Sequence, residues 1–240
     1  MPLFDSIVHA LGTAGTGGFG IKADSIASYS HFCQWVITVF MLLFGVSFNM
    51  YYLLLIKRWR EVLKSNELKC YLGISLAAMI IIALSIMPLY DSIADTVRLS
   101  AFQVSSIVTT TGYATADFDA WPSLAKAVLL VLMFFGGCMG STAGGLKMSR
   151  VTVLAQIARN DLRHALRPRE VSSVILNGRR VDAQGERQIL SYFALYIAVI
   201  GAVFLLISFE PFGIETNFSA TVSCVNNIGP GFELVGATQN

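Results

Sequence analysis

Residues 95–113, DTVRLSAFQVSSIVTTTGY, decide how the rest of the chain is read. Residues 95–108 are apolar enough to be buried, yet at 1.5 Å per residue they are too short to cross a hydrocarbon layer about 30 Å thick. They run straight into Thr109-Thr110-Thr111-Gly112-Tyr113, a Gly-centred turn. Longer apolar runs flank them, residues 70–90 before and the run that begins near Trp121 after. The unit is therefore span, short helix, Gly turn, span. Two other segments share its form: residues 2–11, followed by Thr16-Gly17-Gly18-Phe19, and residues 214–225, followed by Asn227-Ile228-Gly229-Pro230. An internal repeat follows, complete in its middle copy. The first copy lacks an opening span and the last a closing one, so the chain is expected to be part of a longer protein.

Composition agrees with a membrane class. Of the 240 residues 55% are hydrophobic and only 13% charged, and the mean hydropathy of +0.64 is too high for an ordinary soluble domain. The formal net charge of +2 hides a segregation. Every Lys and Arg except Lys22, Arg98 and Lys126 falls within residues 57–69 or 147–187, which the positive-inside rule places on the cytoplasmic side. Both stretches abut apolar spans, so a basic face for nucleic acid is set aside. Residues 32–56 carry no charge and predict one transmembrane helix ending at Lys57-Arg58-Trp59-Arg60; residues 70–90 predict a second. The run from Leu124 meets Gly136, Gly137, Gly140, Gly144 and Gly145 and is expected to break in its middle. Residues 189–208 predict the fourth span. Residues 1–11 have no basic n-region of a signal peptide. Cys33, Cys70, Cys138 and Cys224 show neither a metal spacing nor a disulfide framework.

Within a bilayer, irregular backbone is tolerated only inside protein or beside a watery cavity. A short helix that stops mid-membrane aims the negative end of its dipole at the centre, which favours a cation. Carbonyls in the following residues can then replace the water around a dehydrated ion. Thr16, Thr110 and Thr111 add hydroxyls nearby. The plainer alternative is that each Gly simply ends a helix.

At this point the residues resemble a known family. Thr13-Ala14-Gly15-Thr16-Gly17-Gly18-Phe19, the stretch 109–117 (TTTGYATAD) and Asn226-Asn227-Ile228-Gly229-Pro230-Gly231-Phe232 are similar to filter loops of the Trk/Ktr/HKT superfamily of potassium transporters, specifically the TrkH-type membrane subunit. Residues 136–147 (GGCMGSTAGGLK) and the cytoplasmic stretches Arg167-Pro168-Arg169-Glu170-Val171 and Leu176-Asn177-Gly178-Arg179 extend the resemblance over essentially the whole chain. It implies an all-α integral membrane fold in which repeated helix–pore-loop–helix units surround a central ion pore. Residues 1–64 would be a partial second repeat, 65–165 the third, 166–188 a cytoplasmic connector and 189–240 a partial fourth. The ion-binding positions implied are Thr16, Gly17, Gly18, Thr110, Thr111, Gly112, Asn227, Ile228 and Gly229. The implied gate is the Gly-rich intramembrane loop with Gly136, Gly137, Gly140, Gly144, Gly145 and Lys147. K+ would be the transported ion, with no bound cofactor, in a multi-pass protein of the bacterial cytoplasmic membrane. A homodimer and a TrkA-like, nucleotide-binding regulatory subunit on the cytoplasmic face are the partners implied.

Several readings stay open on the residues alone. Lys147 reads either as an anchor snorkelling to the interface or as a charge acting on the gate. Residues 159–187, which contain the strong turn signal Asn177-Gly178, read either as a regulator contact or as a solvated loop. A sodium-conducting relative and an incomplete, non-conducting fragment are the rival functions. Gly15-Thr16-Gly17-Gly18-Phe19-Gly20 matches a dinucleotide fingerprint literally, but no strand precedes it and no acid follows at the right distance. Residues 140–147 miss a phosphate-binding loop by one position. No paired carboxylates or nucleophile–base set marks an enzyme. His9, His31 and His164 are expected near helix ends, without a catalytic role.

Overall fold

The computed structural model describes residues 1–167 and 173–237. Pro168, Arg169, Glu170 and Val171 of the cytoplasmic motif lie outside the described residues. The chain is mainly helical: α1 (Leu3–Ala14), α2 (His31–Phe44), α3 (Phe48–Leu55), α4 (Trp59–Lys64), α5 (Asn66–Ile86), α6 (Ile93–Val108), α7 (Ser123–Leu132), α8 (Met148–Leu166), α9 (Ala183–Ile207) and α10 (Ile214–Asn226). Among the described residues a hairpin, β1 (Ile175–Leu176) and β2 (Arg179–Arg180), lies between α8 and α9. Its turn is Asn177-Gly178 with φ of 49° and 79°, the two positive values that such a two-residue turn requires.

Polarity is distributed inside out. Leu84, Leu195, Leu205, Leu206 and Ile80 lie exposed on α5 and α9, while Ser105, Ser106, Thr109, Thr110, Thr111, Thr221 and Asn226 are sealed within. In water such an apolar surface would drive association; facing lipid, it is the ordinary exterior. Residues Asn66–Leu89 and Ala183–Ile207 are long and apolar enough to cross a membrane. The short helix α6 packs on α2, α5 and α7, and is buried along nearly its whole length. The Ser65 hydroxyl donates to the Asn177 side-chain oxygen at 3.0 Å, so both basic stretches meet at one end of the molecule, as the charge segregation predicts.

One expected span is corrected. Residues 32–56 do not form a single helix, because α2 and α3 meet at 90°. At Gly45 a Cβ would run into the Tyr71 hydroxyl and lie 2.8 Å from Thr109 Cγ2, so only glycine lets these elements approach. The main-chain groups freed by the bend find partners outside the helix: Cys138 N–H donates to the Gly45 carbonyl at 2.8 Å, and Phe48 N–H to that of Gly140 at 3.0 Å. Uniform hydropathy cannot register such a break, since every residue in it is uncharged. His9 is a second, smaller correction: it sits inside α1, buried, between the rings of Tyr29 at 5.3 Å and Tyr113 at 5.6 Å.

Arg98, an unusual cation in an apolar helix, is buried on α6 and paired with Asp95 at 2.6 Å and with the Gln34 side-chain oxygen. The Gln34 amide in turn donates to the carbonyls of Ile26, Ala27 and Tyr29, each at 3.2 Å. Gln34→Leu would leave these carbonyls and the guanidinium short of partners, with an expected loss of about 1–3 kcal/mol or more. A lower melting temperature in detergent is the measurement that checks it.

Candidate functional site

Three helices end in the same way. At the C-terminus of α1, Thr16 N–H donates to Thr13 O (3.2 Å) and Gly17 N–H to Gly12 O (2.9 Å). At α6 the pairs are Thr110 to Ile107 (3.0 Å) and Thr111 to Ser106 (2.9 Å). At α10 they are Asn227 to Cys224 (3.2 Å) and Ile228 to Ser223 (2.9 Å). Each is a Schellman motif, whose turning residue is left-handed. That residue is Thr16 (φ 49°), Thr110 (φ 54°) or Asn227 (φ 59°), not the glycine. The reading in which glycine serves only to end the helix is therefore corrected. A left-handed Thr costs about 1–2 kcal/mol and persists only where its surroundings hold it.

Glycine comes two residues later, again left-handed: Gly18 (φ 67°), Gly112 (φ 84°) and Gly229 (φ 114°). In an extended strand successive carbonyls point to opposite sides. Left-handed residues at i and i+2 rotate the intervening peptide planes and bring those carbonyls round. The three turns also touch. A Cβ on Gly18 would overlap the Thr111 carbonyl, with the carbonyl carbon 2.9 Å away; one on Gly112 would overlap that of Ile228, with the carbon at 3.1 Å. The turns thus stand side by side in chain order, and the middle one is the most enclosed, with Thr110 and Thr111 at 0% exposure and Gly112 half-buried. The main-chain carbonyls of residues 16–18, 110–112 and 227–229 accept no hydrogen bond from the described residues.

The side-chain hydroxyls are largely occupied. Thr16 Oγ1 donates to the Gly15 carbonyl at 2.8 Å, Thr111 Oγ1 lies 2.8 Å from Thr109 Oγ1, and Thr110 Oγ1 accepts from Gly144 N–H at 2.6 Å. Above the turns, the outer loops pair through Ile26 N–H to the Ala114 carbonyl (3.1 Å) and Ala114 N–H to Ser25 Oγ (3.2 Å). In the same loop, Tyr29 donates to Asp5 at 2.7 Å, and that bond to a carboxylate pushes its phenol up to about 12.

Residues 136–147 lie directly beneath. They leave the helical path after α7 and close at a neck, where Phe135 and Leu146 bridge and Gly136 N–H donates to the Leu146 carbonyl at 2.9 Å. A Cβ on Gly144 would strike the Asn226 carbonyl and lie 3.2 Å from Thr110 Oγ1, so this loop abuts the second and third turns. Gly137 approaches the Gly45 carbonyl at the α2–α3 bend, and Gly140 and Gly145 are left-handed. Lys147 is half-buried and its ammonium donates to the Ala143 carbonyl. It turns back onto the loop instead of reaching outward as an anchor would.

Two participants stand outside the positions expected to bind the ion or form the gate. Asn226 is wholly buried and accepts from the Tyr196 hydroxyl at 2.8 Å. Glu67 is 3% exposed, and its Oε1 accepts from Met139 N–H at 2.6 Å and Ser149 N–H at 3.1 Å. The available signal for Glu67 was an acid immediately before an apolar span, at the end of a basic stretch. Among the described residues no group of His, Cys, Asp or Glu could hold a metal ion.

Comparison with known proteins agrees with this architecture. Residues 1–239 match the family model described as TrkH, cation transport protein. The chain is 32% identical to the Trk system potassium uptake protein TrkG of Escherichia coli (strain K12), over 99% of this chain and 49% of that protein. It is 30% identical to TrkH of Salmonella typhimurium, over 98% and 50%. The crystal structure of the potassium transporter TrkH from Vibrio parahaemolyticus superposes with a TM-score of 0.91 at 26% identity, covering 100% of this chain and 53% of that one. The chain thus spans about half the length of the curated relatives it matches.

Proposed function

The chain belongs to the TrkH family of cation transport proteins, and from that premise we propose that it supplies three carbonyl-lined loops of a filter through which K+ enters the bacterial cell. It is a multi-pass protein of the bacterial inner membrane, in a family of transporters and not of enzymes. The observation that carries the reading is the set of unbonded carbonyls at residues 16–18, 110–112 and 227–229, gathered where three helix dipoles end. Thr16, Thr110, Thr111 and Ile228 are buried among them, and main-chain carbonyls that no protein donor reaches are costly inside a membrane. A weakly hydrated monovalent cation, or water travelling with it, would satisfy them. The relatives are named as potassium uptake proteins, which favours K+ over Na+.

Gly136, Gly137, Gly140, Gly144, Gly145 and Lys147 form the gate in this reading. The loop contacts Thr110 and Asn226 from below, where it would obstruct an ion leaving the filter. A homodimer and a cytoplasmic nucleotide-binding subunit rest on the family resemblance. The hairpin with exposed Arg179 and Arg180 is a candidate contact for such a subunit. Uptake of 86Rb+ into proteoliposomes carrying the complete transporter tests the main reading: inhibition by K+ in preference to Na+ is expected, and absence of any selective flux would overturn it. Lys147→Gln removes a positive charge from the inner end of this path, so a several-fold higher flux is expected at equal protein. Unchanged flux would return Lys147 to the role of an anchor.

A further inference from the structure

The loop beneath the turns is held from the cytoplasmic side by a carboxylate. Glu67 lies in the first turn of α5, and a single oxygen, Oε1, receives two main-chain donors. One is Met139 N–H within the loop, at 2.6 Å; the other is Ser149 N–H in the first turn of α8, at 3.1 Å. These N–H groups are of different kinds. The first belongs to irregular backbone with no helix partner; the second is one of the unpaired donors at a helix N-terminus, where a negative charge is favoured. The Lys147 ammonium adds a positive charge nearby. The carboxylate therefore ties the loop, at Met139, to the first turn of α8 just beyond the loop's C-terminal end.

The same helix end is tied to the hairpin. Asn177 Oδ1 accepts from Ser65 Oγ at 3.0 Å and from Glu67 N–H at 3.4 Å, adding a cap to α5 from a residue far away in sequence. The hairpin is itself clamped to α8 by Gln156, whose amide exchanges two bonds with Ile175 at 2.9 and 3.0 Å. Hairpin, α5 N-terminus, loop and α8 N-terminus thus form one connected hydrogen-bonded set.

We propose that Glu67 is a positioning residue that holds the Gly-rich loop in its obstructing place, and that Asn177 couples this latch to the cytoplasmic hairpin. A partner that displaces the hairpin would then act on the loop through Asn177 and Glu67 without touching the pore. This inference rests on the reading of residues 136–147 as a gate.

The test measures 86Rb+ flux through the complete transporter in proteoliposomes, without any regulatory subunit and at equal protein. Glu67→Ala removes both bonds, and loss of charge-assisted bonds of this kind is expected to raise flux about tenfold or more while leaving the K+ over Na+ preference unchanged. Glu67→Gln keeps an acceptor oxygen at the same place and is expected to bring flux most of the way back, whereas Glu67→Met keeps the volume without an acceptor and is expected to raise flux as Glu67→Ala does, which lost packing alone would not produce. Asn177→Gly keeps the left-handed turn, deletes only the side chain, and should raise flux in the same direction; combined with Glu67→Ala it should add little. Gly112→Ala serves as control. Unchanged or lowered flux in Glu67→Ala, with Gly112→Ala still blocking flux, overturns the latch alone. Gly112→Ala without effect overturns the pore reading beneath it. Should Glu67→Ala fail to accumulate, Asn177→Gly decides, and unchanged flux there overturns the coupling.

Discussion

Gly112→Ala is expected to abolish K+ uptake, by a factor on the order of 100 or more, while the protein still inserts and folds. Two independent costs meet at this position. The backbone is left-handed, with φ of 84°, which an Ala tolerates at about 1–2 kcal/mol. The added methyl would also occupy the space of the Ile228 carbonyl oxygen, with the carbonyl carbon at 3.1 Å and Pro230 Cδ at 3.2 Å. The neighbour has little room to withdraw. Ile228 is held by its Schellman bond to Ser223, and Gly229 N–H donates to Ser223 Oγ at 3.0 Å. Relief therefore comes from turning a carbonyl away from the shared centre, which in the proposed filter is the group the ion needs. Gly178→Ala is the matched control: its φ of 79° is similarly left-handed, but nothing lies within 4 Å of the new methyl. It is expected to cost stability at the hairpin without blocking uptake, because it lies outside the three turns. Growth of a K+-uptake-deficient strain at low external K+, with membrane abundance measured in parallel, checks both variants; wild-type growth of Gly112→Ala would remove the basis for the filter.

Gly136→Ala should have the next largest effect, and of opposite sign on flux. Its methyl would enter the Gly144 carbonyl across the neck of the loop, with the Gly144 carbonyl carbon at 3.0 Å and that of Gly145 at 3.2 Å. Both walls of the neck are main chain, so no side-chain rotation relieves the overlap. The neck must part, weakening the bond from Gly136 N–H to Leu146 O and drawing Gly144 away from Thr110 and Asn226. Overpacking of this kind typically costs about 1–3 kcal/mol. A lower melting temperature together with raised basal 86Rb+ flux is expected. A lower melting temperature with flux unchanged would mean that the loop does not obstruct the path.

Much of the fold was legible because it depends on short-range properties. Residues 70–90 and 189–208 carry long uncharged runs, and α5 and α9 occupy them. The break after α7 follows from the glycines at 136, 137, 140, 144 and 145, which destabilise a helix wherever they stand. The candidate site was legible in outline for the same reason. Gly18, Gly112 and Gly229 each follow a short apolar segment, and each is left-handed. What misled was the role of the residue two places earlier. Turn chemistry favours glycine at the left-handed end of a helix, yet here Thr16, Thr110 and Asn227 take that conformation. Their strain is held by contacts such as Gly144 N–H on Thr110 Oγ1, made by a segment 34 residues away.

By itself, then, the amino-acid order determined a polytopic membrane chain, the side that carries its cations, and three short helices each followed by a Gly-containing turn. Each of these follows from local length, polarity and backbone freedom. Only the tertiary structure decided that the turns stand side by side with carbonyls that no described residue bonds, that the apolar run 32–56 bends by 90° near Gly45, and that Glu67 grips the loop from 72 residues away. Those outcomes turn on which main-chain donors and acceptors meet across distant segments, and neither composition nor hydropathy carries that information.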